Sequence, residues 1–225
     1  MKPWILLDSA QVPNKGGELR LYQRDKDFSI RITGRGELMN TRLHGSEDSL
    51  AELSCARLKN TTNPTILIGG LGMGFTLAAA LKHASKEAQI IIAELVPGVV
   101  KWNKGPLGEH AGNPIQDSRV SVQETDVSRL INNIYDAYDA ILLDVDNGPE
   151  GLTRKKNNWL YSIDGLTAAY SALKPQGILA VWSAGPEKAF TQRLKKVGFD
   201  VDEERVFAHG NKGTRHVIWF ARRVV

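Results

Sequence analysis

One stretch constrains the fold more than any other. The apolar run Ile66-Leu67-Ile68 stops at Gly69-Gly70-Leu71-Gly72-Met73-Gly74, and a helical pattern begins at Phe75-Thr76. About 20 residues further on, a second apolar run, Ile90-Ile91-Ile92-Ala93, ends in one carboxylate, Glu94. Glycines let a strand turn tightly into a helix and let a ligand approach the main chain. An acid at the next strand end can accept hydrogen bonds from ribose hydroxyls. The pair of strand ends predicts a nucleoside crevice lined by Gly70, Gly72, Met73, Gly74, Glu94 and Leu95. The plainer alternative is tight strand–helix packing beside a surface acid.

From residue 65 the pattern alternates. Strands are predicted at 65–69, 89–93, 119–122, 139–144, 177–182, 199–206 and 215–221, with helices near 75–84, 96–103, 127–134, 162–173 and 186–197. Such alternation argues for a mostly parallel sheet covered on both faces. The last two strands are joined by Ala208-His209-Gly210-Asn211-Lys212-Gly213, which suits a hairpin. The expected fold is α/β, a Rossmann-like sheet of the class I methyltransferase type ending in an antiparallel hairpin. Residues 1–45 read differently. Leu19, Leu21 and Gln23 alternate with Arg20, Tyr22 and Arg24, and Phe28, Ile30 and Ile32 with Ser29, Arg31 and Thr33. This predicts an antiparallel meander of two or three strands over 1–45, preceding a nucleoside-binding domain over 46–225. Ser46 is the expected N-cap of an intervening helix, with Glu47 and Asp48 in its first turn. Two long loops, 104–118 and 145–160, are expected to act as lids.

Bulk properties narrow the function. Apolar content of 42% and charged content of 24% are those of an ordinary globular protein. One cysteine, Cys55, excludes an internal disulfide and a Cys-rich zinc site, and suits a reducing compartment. The N-terminal apolar run is too short for a signal peptide, and no run reaches the ~18 apolar residues of a membrane span. A cytoplasmic protein is expected. The net charge of +4 is spread over scattered basic residues, which argues against nucleic acid as partner. His44, His83, His110, His209 and His216 show no metal-ligand spacing. No metal is expected, and no Gly-x-Ser-x-Gly elbow points to a hydrolase.

Ligands of an open α/β sheet bind beyond the carboxyl ends of its strands. Thr125-Asp126 follows the third predicted strand. Asp126 can cap the next helix, accept a hydrogen bond from an adenine amino group, or do both. Asp144 ends the run Ala140-Ile141-Leu142-Leu143 and would sit over a reaction centre, or make a structural Asx-turn. Candidates for binding an acceptor are Glu47, Asp146, Trp159 and Tyr161. Aromatic residues of this kind, Trp182 among them, more often serve core or lid packing.

These elements together resemble the spermidine/spermine synthase family, aminopropyltransferases of methyltransferase-type fold with a small N-terminal β domain. The matching residues are Gly70-Leu71-Gly72-Met73-Gly74 with Thr76-Leu77, Glu94, Asp117-Ser118-Arg119-Val120, Thr125-Asp126-Val127, Tyr138-Asp139-Ala140 running to Asp144, Gly148-Pro149, and Leu173-Lys174-Pro175-Gln176-Gly177. The resemblance implies that Gly70–Gly74 and Glu94 hold the nucleoside, Asp126 the adenine and Asp144 the reacting amine. It implies S-adenosylmethionine or its decarboxylated form as co-substrate and a small amine as acceptor.

Three positions depart from the family pattern. Met73 stands where an acid grips the donor's ammonium, Leu50-Ala51 before Glu52 where a Tyr-His pair is expected, and Asn147 where a second acid follows Asp144. The nucleoside half of the site is kept and the polyamine half largely is not. The expected activity is transfer of an aminopropyl or methyl group from an adenosyl sulfonium to an amine. The alternatives are an S-adenosylmethionine-dependent methyltransferase with a non-polyamine substrate and a nucleoside-binding homologue without catalysis. A homodimer through the N-terminal strands is the default expectation.

Overall fold

The computed structural model describes residues 2–13, 16–42, 44–58, 61–145, 159–209 and 212–224. Strands β1 (Ile5–Gln11), β2 (Glu18–Arg24), β3 (Asp27–Ile32) and β4 (Gly36–Asn40) form an antiparallel sheet in chain order. The sequence pattern gave no sign of β1. Its run Ile5-Leu6-Leu7 is exposed rather than alternating, because β1 lies at the sheet edge. Helix α1 (Gly45–Arg57) leads to the second sheet. Its N-cap is His44, not Ser46. His44 pairs through Nδ1 with the Asp48 carboxylate at 2.8 Å, while Ser46 lies inside the first turn and donates to Glu47.

The second sheet contains β5 (Thr65–Gly69), β6 (Gln89–Ala93), β7 (Val120–Gln123), β8 (Tyr138–Leu143), β9 (Leu173–Ser183), β10 (Phe199–His209) and β11 (Lys212–Arg223). Its order is β10-β11-β9-β8-β5-β6-β7. The strands from β9 to β7 are parallel, and β11 pairs antiparallel with both β9 and β10. This is the expected mixed α/β sheet with its terminal hairpin. The hairpin residues Gly210 and Asn211 lie outside the described residues. Chain order reverses at β5, which has β6 on one side and β8 on the other. The glycine cluster leaves β5 at that reversal, where open α/β sheets bind ligands.

Alternation along each strand supplies two cores. Ile66, Ile68, Ile90 and Ile92 face α1, α2 (Phe75–His83) and α3 (Pro97–Asn103), and the inward side of the N-terminal sheet joins this cluster. Leu67, Ile141, Leu143 and Trp219 face α5 (Val127–Ile131), α6 (Ile163–Ala172) and α7 (Lys188–Val197). Burial on both faces explains why these strands read as continuous apolar runs. Helix α5 is shorter than its pattern suggests, because Asn133 has φ 59° and breaks the turn. Residues 104–118 are no open lid. They form α4 (Pro106–His110) and a 3₁₀ turn, with Leu107 buried, and a Cβ on Gly108 would lie 2.1 Å from the Asn103 carbonyl oxygen. Among the described residues no helix is long and apolar enough to cross a membrane.

The N-terminal sheet is held against the mouth of the crevice by β1 and α3. Asp8 accepts hydrogen bonds from Lys101 Nζ at 2.9 Å and Trp102 Nε1 at 3.0 Å. A Cβ on Gly98 would come within 2.3 Å of the Ala10 Cβ. Gly98→Val is expected to push β1 off α3 at a cost of about 1–3 kcal/mol, typical of overpacking. The melting temperature should fall by roughly 2–12 °C, and proteolysis of the first 40 residues should quicken. An unchanged melt with unchanged cleavage would contradict this docking.

Candidate functional site

The crevice is built around the bend after β5. Gly70, Gly72 and Gly74 all have positive φ (93°, 53° and 85°). At Gly70 the requirement is doubled, because a Cβ there would lie 2.4 Å from the Asp144 carbonyl oxygen. The end of β8 therefore presses directly against the bend, and only glycine fits between them. On the other side Glu94, at the end of β6, reaches back. Its Oε2 accepts from Leu71 N at 2.9 Å and its Oε1 from Val96 N at 2.8 Å. Burial raises the Glu94 pKa above the ordinary carboxylate value, while main-chain amides of Leu71, Val96, Gly72 and Leu95 pull it back.

A cavity of about 230 Å³ opens over this bend. It gathers Gly70, Gly72, Met73, Glu94, Leu95, Thr125, Asp126, Glu47 and Asp144 into one lining, nine of the thirteen site residues expected from sequence. Asp126 also caps α5, accepting from Ser128 N at 3.0 Å. Its side chain caps the helix while the residue borders the cavity. A more open hollow of about 510 Å³ shares Leu95, Thr125 and Asp126, and Trp159 belongs to this one. Gly74 is not in the lining and caps the N-terminus of α2.

Tyr161 is a correction. It is buried, packs edge-on against Phe190, and its hydroxyl donates to Val145 O at 3.0 Å, so it supports the chain after Asp144 from behind. Asp146, Asn147 and the Gly148-Pro149 turn lie outside the described residues. The family pattern makes Glu52 the matching acid of α1, but Glu52 is exposed. The acid that enters the cavity from α1 is Glu47, one turn earlier.

Asp144 and Glu47 are two acids of the same lining. Thr76 donates its hydroxyl to Asp144 Oδ2 at 2.6 Å. Burial, reinforced by the charge of Glu47 and opposed by the Thr76 hydrogen bond, pushes Asp144 up to about 7. Burial also raises Glu47, against the hydrogen bond from Ser46. Asp144 touches the cavity surface while protein encloses the rest of the side chain. Two carboxylates in one enclosed site titrate as a pair. Such a pair suits a cationic or proton-donating partner. Among the described residues no cluster of three His, Cys, Asp or Glu side chains could hold a metal ion.

Two contributors escaped the sequence reading. Thr76 sat in a matching motif without a role. Asn103 is fully buried in α3 and donates Nδ2 to Gly72 O at 2.9 Å and to Val99 O at 3.0 Å, which ties the glycine bend to the helix. The only signal for it was a polar residue on the apolar face made by Val99, Val100 and Trp102.

Comparison with known proteins follows the same lines. A model of the spermine/spermidine synthase domain matches residues 48–204. A polyamine aminopropyltransferase of Oceanobacillus iheyensis is 26% identical over 173 residues, 75% of this chain and 32% of that protein. One from Prochlorococcus marinus is 32% identical over 123 residues, 54% of this chain and 41% of that protein. The chain thus spans about a third of the length of the first of these relatives. The crystal structure of spermidine synthase from Thermotoga maritima superposes with a TM-score of 0.76 at 19% identity, covering 97% of this chain and 72% of that one. A Burkholderia thailandensis 1,6-didemethyltoxoflavin-N1-methyltransferase superposes at 0.57 with 20% identity, covering 81% of this chain and 80% of that one. At these identities the superpositions establish the fold.

The Asp144 environment has a consequence for stability. Its folded pKa of about 7 lies above the unfolded value of 3.8, so the folded state binds the proton more tightly. The contribution is fully present below pH ~4 and is lost as pH rises through ~7. Asp144→Asn removes the ionisation. Relative to the parent protein, its melting temperature should climb by several degrees between pH 5 and pH 8. Melts at both pH values check this, and a constant or shrinking difference would contradict the buried-pair geometry.

Proposed function

The chain belongs to the spermine/spermidine synthase domain family, and from that premise we propose that it transfers an alkyl group, aminopropyl in the leading reading, from an adenosyl sulfonium to a small amine. The observation that carries this reading is the carboxylate pair Asp144–Glu47 lining the same cavity as the glycine bend and Glu94. A hollow that places two acids side by side is suited to an amine.

The site residues take the following roles. The bend at Gly70–Gly72 and the Glu94 carboxylate receive the nucleoside, with Glu94 accepting from the ribose hydroxyls and Asp126 from the adenine amino group. The reading is supported by Gly70, Gly72, Glu94 and Asp126 lining one cavity. The sulfonium supplies an electrophilic carbon and a neutral thioether leaving group. The acceptor nitrogen bonds to that carbon as the carbon–sulfur bond breaks, and the bonding electrons return to sulfur. Asp144 takes the proton that nitrogen sheds, and Thr76 fixes its orientation. Glu47 holds the amine near Asp144. A base with a pKa near 7 is well matched to work at neutral pH, and the rest of the rate comes from holding nitrogen, carbon and sulfur in line.

One observation favours methyl transfer as a second reading. Met73 is buried in the lining, where an acid would grip a donor ammonium, and its thioether suits an uncharged or zwitterionic tail better. Self-association belongs to the same proposal, because Ile5, Leu6 and Leu7 are exposed on the edge strand β1.

Incubation with an amine and either decarboxylated or intact S-adenosylmethionine separates these readings by product. Methylthioadenosine marks aminopropyl transfer, and S-adenosylhomocysteine marks methyl transfer. The acid limb of kcat should rise with pH and level off above ~7, and Asp144→Asn should lose about 10²-fold or more in kcat while nucleoside binding persists. Nucleoside binding with no product from any amine would mean a binding homologue without catalysis. Sedimentation at two concentrations checks self-association, and a monomer at both would end that part of the proposal.

A further inference from the structure

The wall that the N-terminal sheet contributes to the cavity bears on which amine is accepted. Leu19, Ile30 and Ile32 reach the lining from β2 and β3, on the side of each strand that alternation turns inward. On β4 two neighbours, Leu38 and Met39, both reach it. Adjacent residues of a regular strand point to opposite faces, so a device is needed. The ladder supplies it: Ile30 pairs with Met39 and Arg31 with Glu37, which leaves Leu38 unpaired in a bulge. The bulge lets two apolar side chains serve one cavity. Met39 then lies over the glycine bend, its Sδ 3.2 Å from where a Cβ of Gly72 would be.

The polar residue on the same strand is already occupied. Asn40 borders the cavity, but its Nδ2 donates to Glu37 Oε1 at 2.8 Å and its Oδ1 accepts from Arg42 N at 2.9 Å. The cavity's carboxylates come from elsewhere among the described residues: Glu47 from α1, Asp144 after β8, Glu94 after β6 and Asp126 before α5. The first two are committed to the reacting nitrogen and the last two to the nucleoside. An acceptor in this hollow therefore meets acid at its reacting end and hydrocarbon along the N-terminal sheet. Among the described residues no further carboxylate lines the cavity, so a second ammonium on the acceptor would lose its water against Leu38, Met39 and Ile30 without another acid to pair with.

We propose that the acceptor is a primary monoamine with an apolar body, its nitrogen at Asp144 and Glu47 and its hydrocarbon against the wall formed by Leu19, Ile30, Ile32, Leu38 and Met39. This inference rests on the transferase reading above and names its substrate class. The bulge at Leu38 is the local feature that sets the selectivity.

Calorimetry on the full chain saturated with methylthioadenosine tests it without requiring turnover. The probes are n-hexylamine and 1,6-diaminohexane, equal in length and different only in the second amine. The monoamine is expected to bind at least tenfold more tightly, a difference of about 1.4 kcal/mol. Met39→Glu and, as a second variant, Leu38→Glu should each shift the preference towards the diamine by at least tenfold. Equal or tighter binding of the diamine by the parent protein would overturn the proposal, as would binding of neither amine. Initial rates with the same two amines keep the two claims apart. A monoamine preference in binding without product supports the acceptor class while the transferase reading fails. Product formed faster from the diamine keeps the transferase reading and rejects the monoamine.

Discussion

The two hydrogen bonds from Leu71 N and Val96 N to the Glu94 carboxylate hold the site together. They join the turn after β5 to the turn after β6, across the point where strand order reverses. A buried acid is costly unless its oxygens are paired, and here the main chain pairs both. The bend is thereby held open in a conformation with three positive-φ glycines. Asn103 grips the same bend from α3, and the end of β8 closes against Gly70. The arrangement of Asp144 relative to the bend follows from that close contact.

From this frame the cavity acquires its chemical asymmetry. One end is main chain and Glu94, the second is an acid pair, and the third is the apolar side of the N-terminal sheet. Each comes from a different layer of the fold. Docking of β1 on α3 through Asp8, Trp102 and Gly98 brings the sheet over the bend. The acid pair arises because α1 begins where Glu47 can reach Asp144's surroundings. Burial raises the pKa of both carboxylates, and at Asp144 the charge of Glu47 adds to it. Sites that spend stability in this way are commonly reactive ones.

Much of the fold was legible because buried parallel strands write themselves as apolar runs. Ile66–Ile68, Ile90–Ile92 and Ala140–Leu143 were visible for that reason, and the glycine bend and Glu94 stood at their ends. The edge strand β1 was illegible, since an exposed edge needs no alternation. The packed segment 104–118 around Leu107 read as loop because its three glycines and two prolines hide a one-turn helix. Glu47 was legible as a first-turn acid, but its place in the cavity depends on where α1 starts, and His44 rather than Ser46 decides that. The wall at Leu38 and Met39 was beyond reach, because a bulge is a property of pairing between strands and leaves no mark in either strand alone. Tyr161 was read towards the acceptor, yet its ring is committed to Phe190 and its hydroxyl to Val145.

The most direct measurement is a calorimetric titration of methylthioadenosine into the parent protein and into Glu94→Leu, with folding of both verified by circular dichroism. Saturable one-site binding by the parent, weakened at least tenfold by the substitution, is the predicted result. A folded parent protein that releases no heat with the nucleoside, or a variant that binds it equally well, would contradict the account.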